Sequence, residues 1–228
     1  GLAPTGSQDP YALRRAAQGI LRILMEREIN VSLPDAVAQA DRLQPAGLPE
    51  AEGVRDRVLA FLRERLYHYF TDKGYRYDHV NAVLTTGFGD VRDTRDRLDS
   101  VAALAAEPGW EELVTVVQRT RRILRNEKID FDVEEGLLQE PEEKKLWEIL
   151  LEREAEVRDL ITKREYLKAS ELFARAFVES VHEFFDKVFV DVEDQSLRRN
   201  RLALMKRINA LYTERVADLS EIVIAEGQ

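Results

Sequence analysis
Three properties of this sequence predict an all-α fold of at least eight helices packed as bundles. Apolar side chains recur at three- and four-residue spacing along nearly the whole chain, the interval that lines one face of a helix. No convincing run of alternating apolar and polar residues marks a strand. Proline, glycine and short polar residues fall where the periodic stretches begin and end. At 228 residues, 44% of them hydrophobic, the chain can bury a real core as one elongated helical domain or two smaller ones.

The first helix is read from Pro10 to about Arg27. Gly6 permits a tight turn before it, Ser7 or Asp9 can accept hydrogen bonds from its free N–H groups, and Pro10 loses nothing at a first-helical position. Leu13, Ala17, Ile20 and Leu24 share one face, with Arg15 and Arg22 opposite. Pro34 and Pro49 sit at plausible starts of the next two helices. The third carries Val54, Val58, Phe61, Leu62, Leu66, Tyr69 and Phe70 as one stripe, with Gly74 as its stop. Tyr77 to Leu84 reads as a short fourth helix, and Thr85 to Gly89 as the clearest loop. Asp90 is placed to cap a fifth helix, closed by Pro108-Gly109. Trp110 to about Lys128 is the sixth, followed by an acidic connector from Asp130 to Pro141. A helix with Leu146, Trp147, Leu150, Val157 and Ile161, a strongly apolar one from Tyr166 to about Phe189, and a last one from near Ser196 past Leu211 complete the chain. There is no repeat of fixed period.

Composition excludes several chemistries. Without cysteine there is no disulfide framework and no thiolate, and three scattered histidines leave no metal site. That usage fits a reducing, cytoplasmic setting. No apolar run approaches the ~20 residues that span a bilayer, and the first twenty residues lack the pattern of a signal peptide. Carboxylates sit beside basic residues at helical spacing and read as exposed pairs. His68, within Tyr67-His68-Tyr69-Phe70, reads as a core or boundary histidine. Gly87-Phe88-Gly89 lacks the preceding strand of a phosphate cradle, and no phosphate-binding loop or nucleophile elbow occurs. No catalytic residue is assigned.

The formal charge is −9, yet screening confines an exposed charge to about 8 Å, so local clusters decide contact. Five cations and no acid lie between Leu197 and Ile208, and four cations and no acid between Arg119 and Arg125. Such faces are either solvated helix surface or a match for phosphate. Arg201 is the anomaly, because it falls inside the apolar stripe of Leu197, Leu204, Ile208 and Leu211. A guanidinium aimed at a core must be paired, with Asp186 or Asp194 as candidate partners, or must be held at the bundle surface to meet phosphate or a base edge. Arg199 and Lys206, seven apart, face outward together.

Three motifs carry a family resemblance. Pro4-Thr5-Gly6-Ser7-Gln8-Asp9-Pro10-Tyr11-Ala12-Leu13-Arg14-Arg15 closely resembles the segment that follows the HD-like domain in bacterial glycyl-tRNA synthetase beta subunits. Phe184 to Val190, with Asp194 and Arg198-Arg199-Asn200-Arg201-Leu202-Ala203-Leu204, resembles the DALR anticodon-binding domain, as does Arg119 to Arg125. Val216-Ala217-Asp218-Leu219-Ser220 is similar to the ending of the beta subunit. Residues 85–97 match no pattern of the family.

The resemblance implies a C-terminal portion of that subunit, with a helical region at 1–107 and a DALR-type domain at 108–228. It implies binding of the anticodon arm of tRNA-Gly, in support of ATP-dependent glycylation carried out with the alpha subunit. No cofactor is expected in this portion, ATP being used by the intact enzyme, and no catalysis by the portion alone. Anticodon bases sit in a single-stranded loop, open to stacking and to hydrogen bonding on their edges, with arginines positioning the backbone. The candidate tRNA contacts are Arg198, Arg199, Arg201 and Lys206, with Arg119 and Arg122 behind them. A helical adaptor for partner helices, or the DALR domain of another synthetase such as arginyl, are the alternatives.

Overall fold
The computed structural model describes residue 9 and residues 11–44 and 53–224. Among them are nine α-helices: α1 Leu13–Glu26, α2 Leu33–Arg42, α3 Val54–Asp72, α4 Tyr77–Thr86, α5 Val91–Leu104, α6 Trp110–Leu124, α7 Pro141–Thr162, α8 Tyr166–Lys187 and α9 Gln195–Thr213. Two 3₁₀ turns, Glu135–Leu137 and Leu219–Glu221, and an isolated bridge between Ser32 and Asp90 are added. The chain divides into two compact units, Gly1–Leu98 and Asp99–Gln228, and the division falls within α5.

In the first unit α3 packs against α1, α2 and α4. Its Leu62, Leu66 and Phe70 are buried, and it ends at Gly74, whose φ of +96° suits a residue without Cβ. The Gly74 and Tyr75 amides close the end by donating to the Thr71 and Phe70 carbonyls. Helix α1 departs from its reading in two ways. It begins at Leu13, where the Asp9 carboxylate accepts from the Arg14 and Arg15 amides; Pro10 itself lies outside the described residues, as does Pro49. Its buried side is Ala17, Leu21, Leu24 and Met25, leaving Ile20 52% exposed. Both stripes fit helical spacing, and the packing chooses between them. His68, read as core or boundary, is exposed on α3, with Nε2 3.7 Å from Glu64.

Residues 85–97 turn out to be structural. Asp90 caps α5, its carboxylate accepting from the Arg92 and Asp93 amides at 3.0 and 3.2 Å. Arg97, 4% exposed, donates to the Val83 and Gly87 carbonyls at 3.2 and 2.6 Å. Its guanidinium thereby adds a second donor to the Val83 carbonyl, which also accepts from the Gly87 amide, and supplies one to the Gly87 carbonyl just past the end of α4.

In the second unit α7 and α8 pair closely across a three-residue link, and α9 packs on α6, α7 and α8. Phe173, Phe177, Phe184, Leu204, Ile208 and Tyr212 are almost completely buried. The Phe173 ring lies 5.0 Å from Phe177 and 5.2 Å from Tyr212. Burial pushes the Tyr212 phenol up to about 12, and its hydroxyl shares a 3.0 Å hydrogen bond with Ser170. Helix α6 ends at Leu124, short of Lys128, because Arg125 turns to an extended conformation and Asn126 adopts a φ of +68°.

Candidate RNA-binding surface
The cations of α9 are largely committed within the fold. Arg201 is 4% exposed, with Nε 2.5 Å from Glu143 Oε1, and it also donates to the Phe189 carbonyl at 2.7 Å. Its partner is therefore Glu143 at the start of α7, and neither Asp186 nor Asp194. Asp194 caps α9 through the Ser196 and Leu197 amides, and Asp186 pairs with Arg119 at 3.7 Å. Glu143 is fully buried, and its second oxygen accepts from the Gln139 and Glu140 amides at 2.7 Å each, closing a capping box at the head of α7. A buried guanidinium with that much bonding is an interior pair, which separates Arg201 from the surface cations.

Arg207 pairs with Glu154 of α7, and Arg198, Arg199 and Lys206 hold the connector between α6 and α7. Arg198 donates to Glu127 at 2.7 Å and Asp191 at 2.9 Å, and these hydrogen bonds, Glu127 foremost, raise its pKa above the ordinary arginine value. Arg199 is exposed and stacks over the Phe131 ring at 4.3 Å. Lys206, also exposed, donates to the Ile129 carbonyl at 2.5 Å. Between them Asn200 accepts from the Glu134 amide and donates to the Glu134 carbonyl, at 2.7 and 3.0 Å. The cationic row of α9 is thus a seam for residues 127–134. Arg119 faces α8, where Nη1 meets His182 Nδ1 at 3.3 Å and the guanidinium lies 4.7 Å over Phe185.

A different face of α6 stays open. Gln118, Arg121 and Arg122 stand at i, i+3 and i+4 on one side of α6, and Arg125 follows at its C-cap. Together with Leu124, Asn126, Ser220 and Glu221 they line a hollow of about 620 Å³. Its second wall is the 3₁₀ turn Leu219–Glu221, which packs against α6. Gln118 Nε2 ties that wall down by donating to the Ile222 carbonyl at 2.9 Å. Asp218, almost buried, accepts from the Ser220 amide and hydroxyl at 3.1 and 2.6 Å, and its other oxygen lies 3.6 Å from Arg121 Nη2. Arg122 and Arg125 are exposed and form no ion pair or side-chain hydrogen bond among the described residues. Three guanidiniums face the Asp218 and Glu221 carboxylates and the roughly half a negative charge of a helix C-terminus, which leaves the hollow a small positive excess.

Of the six residues the sequence nominates, only Arg122 lines this hollow. Arg121 and Arg125 belong to the run already noted for lacking acids, and Gln118 stands just before it. The wall opposite them was not, because it comes from the far end of the chain. No group of three or more histidine, cysteine, aspartate or glutamate side chains among the described residues could hold a metal ion.

Comparison with known proteins defines the class first. Residues 113–214 match the DALR anticodon binding domain, which contains the hollow's α6 face. Residues 1–85 match the glycyl-tRNA synthetase beta subunit model. Proteins named glycine–tRNA ligase beta subunit are similar along almost the whole chain. Those of Acidobacterium capsulatum, Desulforamulus reducens and Moorella thermoacetica are 39%, 37% and 34% identical over 98% of it. The chain spans about a third of the length of these relatives (32% of each). It belongs to the glycyl-tRNA synthetase beta subunit family.

Proposed function
We propose that this chain binds the anticodon arm of tRNA-Gly, as the tRNA-reading part of a cytoplasmic glycine–tRNA ligase. In the intact enzyme glycine and ATP are used with the alpha subunit, and this portion contributes RNA binding without catalysis or a cofactor. Residues 108–228 act as the anticodon-binding domain and 1–107 as the helical region leading into it. One observation carries the reading: the DALR domain presents three arginines around an open hollow, two of them without an ion pair or side-chain hydrogen bond among the described residues. The match of residues 1–85 favours the glycyl over the arginyl alternative. No described helix is long and apolar enough to cross a membrane.

Guanidiniums on a rigid helix suit phosphate and base edges, and the aliphatic wall of Leu124 suits a nucleobase face. Arg122 and Arg125 are the leading contacts, with Arg121 held in place by Asp218. The exposed Arg199 and Lys206 form a second, partly neutralised surface. The test is tRNA binding over a range of salt concentrations with Arg122→Glu/Arg125→Glu. Losing two phosphate contacts to a single-stranded loop flattens the slope of log K against log salt by about 1.4. Unchanged affinity and slope in a folded double variant would exclude this face. Competition between tRNA-Gly and tRNA-Arg reports which acceptor the domain prefers.

A further inference from the structure
The hollow contains one acid that its arginines leave alone. Glu221 is exposed on the second wall, yet it makes no ion pair or side-chain hydrogen bond among the described residues, although three arginines line the same space. Its backbone is fixed: Leu219 and Ile222 on either side are 0% and 3% exposed, and the Glu221 amide donates to the Asp218 carbonyl at 3.1 Å. Asp218 also caps the turn, and Gln118 pins Ile222 to α6. A carboxylate carried on a fixed backbone among cations does not help to bind a polyanion, since it subtracts from the attraction. Its chemistry is that of an acceptor with no donor of its own.

We propose that Glu221 selects the nucleobase in this hollow, accepting a hydrogen bond from an exocyclic amino group and so favouring cytosine over uracil. The inference rests on the reading of the hollow as an RNA site. Arg122 and Arg125 hold the phosphate, and repulsion from Glu221 turns the phosphate to their side and the base edge toward the carboxylate. Carboxylates pair with the 4-amino group of cytosine on this principle. Uracil offers its one ring N–H between two carbonyl oxygens, which repel a carboxylate. At about 620 Å³ the hollow falls within the range of ~300–1,000 Å³ typical of small-ligand sites, so a nucleotide can enter.

The experiment measures binding of oligocytidylate and oligouridylate of equal length, alongside tRNA-Gly, to this chain and to Glu221→Gln. The expected preference for oligocytidylate is about tenfold, the worth of one charge-assisted contact to a base edge. In Glu221→Gln it falls to within about twofold, because an amide pairs with either base. Arg122→Gln weakens both oligomers alike and leaves their ratio standing. A wild-type chain without preference, or a Glu221→Gln variant that keeps the full ratio, overturns the assignment. Those results leave the RNA site itself intact if tRNA binding still depends on Arg122 and Arg125. Loss of that dependence is the separate failure of the site.

Discussion

Arg201→Met removes a guanidinium and strands a carboxylate. Glu143 is 0% exposed, and its Oε1 loses the charged donor that it meets at 2.5 Å. The Phe189 carbonyl loses its 2.7 Å donor at the same time. Oε2 keeps its two amide bonds, which hold the charge in place and prevent Glu143 from swinging out to water. Breaking a buried pair from one side costs about 3–5 kcal/mol. For a unit of this size that corresponds to a fall of roughly 10–20 °C in Tm. Thermal denaturation followed by circular dichroism measures it. Glu143→Gln in the same background removes the stranded charge and returns about 1–3 kcal/mol, so the two changes are strongly non-additive. Affinity for tRNA per folded molecule stays within about twofold, since neither group reaches the surface. A variant that melts like the wild type but binds tRNA much more weakly would refute the interior-pair reasoning and return Arg201 to the interface.

Arg199→Glu/Lys206→Glu acts on the connector, because Arg199 covers Phe131 and Lys206 holds the Ile129 carbonyl. Hydrogen exchange of residues 129–134 accelerates while tRNA affinity falls less than about threefold; a loss comparable to that of the Arg122/Arg125 pair moves the interface to α9. Glu154 ties Arg207 and Arg158 at 2.6 and 2.7 Å. Burial alone would raise its pKa, but the hydrogen bonds from Arg207 and Arg158 win and hold it below 4.5. The linked stability is therefore complete above 4.5 and is lost as pH falls through the lowered value. Urea midpoints of wild type and Glu154→Gln accordingly converge as the buffer is acidified, and a gap independent of pH contradicts the sign. Two glycines with open space around their Cβ positions respond oppositely to alanine. Gly74→Ala, at φ +96°, costs about 1 kcal/mol, whereas Gly19→Ala inside α1 stabilises by up to ~1 kcal/mol. Urea denaturation of both variants checks the pair, and equal signs would show that backbone conformation is not what separates them.

The elements were legible because their signals are local. Asp90 and Gly74 mark ends through bonds to residues within a few positions, and the stripe of α9 is a matter of period. Which of two overlapping stripes α1 buries depends on α3, so Ile20 and Leu21 exchanged places. Arg201 was legible as a misfit, since a cation inside an apolar stripe is visible from spacing alone. Its partner was not, because Glu143 is 58 residues away and reads as an ordinary first-turn acid of its own helix. The connector was legible only by its charge. It has no period, and its attachment uses a backbone carbonyl at Ile129, a ring at Phe131 and a two-way amide bond at Glu134, none of which leaves a trace in composition. That attachment is also why the most cationic helix is not the most available one.

The hollow has a history built into it. Gln118 and the carbonyl it holds are 104 residues apart, so a chain emerging from the ribosome displays the α6 arginines long before it can supply the facing wall. During that interval the segment has positive charge but no receptor shape. If Glu221 selects the base as proposed, discrimination cannot precede the docking of the Leu219–Glu221 turn on α6.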